Sequence, residues 1–170
     1  FEEAYRWQYI TENERSRERF VINGGKIGQN LADVVANWQA KTKAYDHKVT
    51  AYLFGPEDEA LYANNATQLE KDLHQLAELA LAQRNHTGVL VLQLPFYRHL
   101  RNKVLQASNS LGQTQKDHLI IVDHFILSQD ENWMEALTLD GDLNTLGHLR
   151  LAKHLLKTVF GFHQNVLTYS

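Results

Sequence analysis

The chain has 170 residues, enough for one domain with a proper core, and 44% hydrophobic against 22% charged residues excludes disorder for its bulk. With 17 Lys and Arg against 20 Asp and Glu the net charge is −3, which leaves no electrostatic footprint for nucleic acid and no basic run for a membrane surface. The absence of cysteine excludes disulfides, thiolate metal sites and a Cys nucleophile.

In chain order, residues 1–19 read as a helix, with Phe1, Tyr5 and Tyr9 four apart, and 19–23 as a short strand ending in Asn23-Gly24-Gly25. A second helix is expected over 29–43, with Leu31, Val34, Val35 and Trp38 on one face. Residues 48–54 read as a strand that stops at Gly55-Pro56. The clearest helix covers 65–83, where Leu69, Leu73, Leu76, Leu79 and Ala80 form an apolar stripe. Residues 88–94 form a continuous apolar run of the kind buried on both faces of a parallel sheet, and Pro95 ends it. A helix is expected over 96–108, a polar loop around Gly112, a strand over 119–122 and a last helix over 144–160. Runs such as Val89 to Leu92 and Leu119 to Val122 are far shorter than the roughly 20 residues a membrane span needs. Asn65-Ala66-Thr67 and Asn85-His86-Thr87 fit the short glycosylation acceptor pattern. Trp7, Trp38 and Trp133 read as packing anchors, with Trp133 lying on the way to the Asp140 segment.

Strands alternating with helices predict one α/β domain over 1–170, a parallel sheet with helices on both faces, whose ligands lie beyond the carboxyl ends of the strands. The informative loops are then 23–30, 55–59, 94–97 and 137–148. A doubly wound sheet normally opens on a strand, whereas this sequence opens on a helical pattern and lacks an initiator Met, Met134 being its single methionine. The expectation is therefore an opening strand upstream of Phe1.

Three of these loops hold chemistry-bearing residues. Gly28 precedes a helix, where glycine lets backbone amides approach an anion; it also fits a plain tight turn. Glu57 and Asp58 follow a strand and could polarise a substrate or cap the next helix. Asp140, Asp142 and His148 flank Asn144, a candidate N-cap, and could orient or replace a base; a capped helix with a His on its buried or flanking face also accounts for them.

Taken together these loops resemble the SGNH (GDSL-type) hydrolase superfamily of esterases, lipases and carbohydrate deacetylases. Asn23-x-Gly25-x-x-Gly28 is similar to its second block, Gly55-Pro56-Glu57-Asp58 to its Gly-x-Asn-Asp block, and Asp140-Gly141-Asp142-Leu143-Asn144-x-x-Gly147-His148 to its final block. Leu92-Gln93-Leu94-Pro95 resembles the loop after its fourth strand, so the likeness runs over 23–160. The resemblance implies a flavodoxin-like three-layer fold and a small acyl ester or glycan ester substrate. It implies an oxyanion donor at Gly28, an orienting acid at Asp140 and no cofactor.

The departures matter as much. No Gly-Asp-Ser turn occurs, and the nearest serine, Ser16, sits in a charged helical stretch. Glu57 stands where the oxyanion Asn is expected, and Asp142 where the catalytic His is expected. A free Asp has a pKa of about 3.9 against about 6.5 for His, so it is a weak base near neutrality. Loss of one oxyanion donor costs about 10²–10³ in rate. An efficient Ser-His-Asp esterase is thus not expected, with His148, His124 or His99 as substitute bases. The alternative is a catalytically dead relative that binds a glycan or another ligand, or serves as a scaffold. A third reading is Mg²⁺ or Ca²⁺ held by Glu57, Asp58, Asp140 and Asp142.

Overall fold

The computed structural model describes residues 26, 28–42, 47–94, 98–138 and 143–160. The helix and strand expected over 1–23, with Trp7 and Ser16, lie outside the described residues, as do Asp140 and Asp142. Two compact units divide the chain, one over Gly25–Phe125 and one that includes the residues from Ile126 onward.

The first unit holds α1 (Leu31–Ala36), α2 (Trp38–Thr42), β1 (Val49–Leu53), α3 (Pro56–Tyr62), α4 (Ala66–Leu81) and α5 (Gln83–His86). These are followed by β2 (Val89–Leu94), α6 (Arg98–Asn109), α7 (Gln113–Asp117) and β3 (Leu119–Asp123). The three strands form one parallel sheet in the order β1-β2-β3, with Val49 opposite Val89 and Leu90 opposite Leu119. β2 is central, and five of its six residues are buried, which explains its unbroken apolar run. A continuous core joins Leu31, Val35, Trp38, Phe54 and Tyr62 to the α4 stripe, the β2 residues Leu90, Leu92 and Leu94, and Leu100 and Val104 of α6.

Three details of this unit correct the sequence reading. The helix expected over 29–43 is two helices. Asn37 ends α1 because its side-chain amide donates to the Asp33 carbonyl, an internal partner that competes with helix continuation. Residues after Gly55 form a helix rather than a loop: Gly55 is its N-cap and Pro56 its first residue, where proline's missing N–H costs nothing. The polar stretch after Gly112 holds the short helix α7, with Gln115 reaching back to the Gly112 N–H. Asn85 and His86 have φ of 56° and 65°, and the backbone then passes α4 so closely that a Cβ on Gly88 would lie 1.9 Å from the Ala80 carbonyl oxygen.

The second unit holds a 3₁₀ turn at Trp133–Ala136 and α8 (Thr145–Phe160). Leu137 and Leu143 form an isolated antiparallel bridge, the base from which α8 starts. Asn144 fixes this base: its Nδ2 donates to the carbonyls of Glu135 (2.7 Å) and Leu137 (3.1 Å), and its Oδ1 accepts from the Gly147 N–H. It is the helix-start residue that the sequence pattern pointed to, although α8 itself opens at Thr145. No helix among the described residues is long and apolar enough to cross a membrane.

Candidate active site

All three strands run the same way, so Phe54, Leu94 and Asp123 end at one edge of the sheet, where α/β proteins take ligands. The first group at this edge is the turn Lys26–Gln29, closed by the Gln29 N–H to the Lys26 carbonyl at 3.2 Å. Gly28 sits in it with φ of +80°, a left-handed conformation that glycine adopts without strain. Nothing lies within 4 Å of where its Cβ would be, so conformation rather than crowding calls for glycine. Gly28 is exposed, and among the described residues its N–H meets no acceptor. An exposed, unspent amide in a preformed turn can donate to an anion at no reorganisation cost.

The next residues lock α1 in place. Asn30 Oδ1 accepts from the Asp33 N–H at 3.0 Å, and Asp33 Oδ2 accepts from the Asn30 N–H at 3.2 Å, a reciprocal capping box. The first helical amide, that of Leu31, is served from elsewhere: it donates to Asp58 Oδ1 at 2.7 Å.

Asp58 is 1% exposed, and three groups donate to it. Besides Leu31 these are the Gly55 N–H to Oδ2 at 2.9 Å and the Tyr52 hydroxyl, 2.9 Å from each carboxylate oxygen. Burial pushes its carboxyl above the ordinary 3.8, while the Gly55 and Leu31 amides and the Tyr52 hydroxyl pull the other way. Burial first, and the Asp58 charge second, push the Tyr52 hydroxyl far above its ordinary 10.0, so it stays a donor. Tyr52 also stacks edge-on against Phe54, ring centres 4.9 Å apart. Glu57 is the contrast. It is half-buried in the first turn of α3, its carboxylate folds over Gly55, and among the described residues it has no hydrogen-bond partner. A carboxylate there repels a developing oxyanion where an amide would donate to it.

Beyond β2 and β3 lie polar groups that periodicity did not single out. Gln93 and His124 are 7% and 0% exposed and meet at 3.0 Å between Gln93 Oε1 and His124 Nε2. Asp123 takes both Nε and an amino group of Arg101, accepts from the Phe125 N–H at 3.1 Å, and is held below the ordinary 3.8 by that guanidinium. Arg101 lies over the Phe125 ring, 5.4 Å from its centre. The one signal for this cluster in the sequence is Gln93 itself, a polar residue inside an apolar strand.

Of the substitute bases, His124 is fully buried, His99 is exposed on α6, and His148 is exposed in the first turn of α8. Among the described residues no group of three or more His, Asp or Glu is placed to hold a metal ion. Trp38 and Trp133 are buried, as packing anchors would be. Both Asn65 and Asn85 are exposed; Asn65 spends its side chain capping α4 by accepting from the Gln68 N–H, and Asn85 lies in α5.

No family model matches the sequence, and no curated protein matches it. Solved structures do. A catalytic mutant of Axe2, an acetylxylan esterase from Geobacillus stearothermophilus, superposes with a TM-score of 0.51 at 18% identity, covering 80% of this chain and 69% of that one. A second Axe2 mutant, an acetyl-xylooligosaccharide esterase from the same organism, gives 0.54 at 18% identity, covering 81% and 70%. The chain thus shares its α/β fold, a parallel sheet flanked by helices, with these two structures.

Proposed function

We propose that the chain is an SGNH-type esterase or carbohydrate deacetylase in design, acting on a small acyl ester, with turnover strongly reduced by its own substitutions. The observation that carries this reading is the Gly28 N–H, without an acceptor among the described residues, in a left-handed turn, in a fold similar to that of acetylxylan esterases. In this reading a serine attacks the acyl carbon, the Gly28 amide holds the oxyanion, and Asp140 orients the base. Glu57 and Asp142 then act against catalysis, one by charge and one by weak basicity. Those two residues also favour the second reading, a catalytically dead relative that binds a glycan or another ligand without turning it over, or serves as a scaffold.

The test is p-nitrophenyl acetate and acetylated xylo-oligosaccharide hydrolysis, with fluorophosphonate labelling and an intact mass. Weak turnover, abolished by the label, is expected, and replacing Glu57→Asn with Asp142→His should raise it by about 10² or more. An unlabelled mass above the 19.6 kDa of this sequence, with the label mapped to a serine ahead of Phe1, would make it a working esterase. No label and no turnover, in the chain and in the double variant alike, sinks the esterase reading and leaves glycan binding, which calorimetry then measures.

A further inference from the structure

We propose that Asp58 is the positioning residue of this site, setting the Gly28 turn against the Gly55–Glu57 turn; its catalytic consequence rests on the esterase reading above. Asn30 spends its side chain on Asp33, so α1 has no local acceptor for its first amide. The acceptor comes from 27 residues further along the chain, on the far side of β1. The other Asp58 oxygen takes the Gly55 N–H, the last link before α3. One buried carboxylate therefore bridges two backbone segments, the start of α1 and the N-cap of α3, and the Tyr52 hydroxyl spans both of its oxygens. Every partner donates, so an ionised carboxylate matches them all. An asparagine there must turn an NH₂ toward at least one of these donors. A glutamate keeps the charge but moves it by one methylene, displacing one turn from the other. Asp58 touches no reacting atom; it acts through the position of Gly28, two residues before the capped start of α1.

The experiment compares the full chain with Asp58→Asn, Asp58→Glu and Tyr52→Phe by amide hydrogen exchange and by p-nitrophenyl acetate kinetics. In Asp58→Asn, protection at Leu31 or Gly55, whichever faces the new NH₂, should fall by about tenfold or more, the scale of one hydrogen bond left unmade, while Val91 and Leu92 stay within about twofold. kcat should fall by about tenfold with KM little changed, because the oxyanion donor matters most in the transition state. Tyr52→Phe, which leaves both backbone donors their acceptor, should keep Leu31 and Gly55 protected. Asp58→Glu serves if the Asn variant does not fold: protected amides with a lowered kcat are expected, and a wild-type kcat overturns the proposal. A parallel loss of protection at Val91 and Leu92 also overturns it, since Asp58 then supports only global stability. A wild-type chain without turnover defeats the esterase reading instead, and the Leu31 and Gly55 exchange pattern still decides the tether.

Discussion

At Asp123 the direction of a charge effect follows from the partners. The Arg101 guanidinium holds its carboxyl below 3.8, so the folded state binds the proton less readily than the unfolded chain. Its contribution to stability is present above pH 3.8 and is lost as pH falls through the lower folded value. Urea unfolding at pH 6 and pH 2 should show Asp123→Asn less stable than wild type at the first and nearly level with it at the second. A gap that persists in acid would argue against the Arg101 pair as its source. Asp58 has the opposite sign: burial raises its carboxyl, so its contribution is fullest below 3.8 and declines as pH rises through the folded value. Gly28 could be singled out from the sequence because turn chemistry is local. The Asp58 tether could not, because Leu31 lies 27 positions away and no spacing rule connects them. Asp123 and Arg101 were hidden for the same reason, 22 positions apart.

Among the elements, β1, β2, β3, α4 and α8 follow from period and composition to within two residues at each end. Their apolar patterns are long or unbroken, and burial agrees with local propensity. The misses are short. α3 needed the Gly-Pro start to be read as an N-terminus rather than a loop, and the α1–α2 break needed the Asn37 side chain to be set against its own backbone. At the start of α8 a glycine is dictated by contact. A Cβ on Gly147 would lie 2.3 Å from the Ala136 carbonyl oxygen and 2.8 Å from Leu143 Cδ2. Elsewhere in a helix Gly→Ala gains up to about 1 kcal/mol, but here backbone must move. Gly147→Ala should therefore destabilise by about 1–3 kcal/mol, measurable by thermal melting. An unchanged or raised Tm would mean that the 3₁₀ turn at Trp133–Ala136 yields without cost.

For the molecule as a whole, the α/β class and the parallel sheet could be read from the alternation of strands and helices, because that alternation is what a parallel sheet requires. The candidate site could be read only in part, since its loops are defined by long-range ties rather than by period. One feature of the sheet reaches beyond any ligand. Among the described residues β1 pairs only with β2, and Val49 and Leu53 on one of its faces are 37% and 43% exposed. An edge with apolar side chains and no strand partner among the described residues is a template for strand capture, and β1 carries no Pro or inward charge to blunt it. Concentrated solutions of this chain should therefore self-associate through β1, with light scattering that rises with concentration. Val49→Lys should suppress that rise while leaving the folded monomer intact; equal scattering from both would clear this edge. The same strand that brings Tyr52 to Asp58 would then set the ceiling on the chain's solubility.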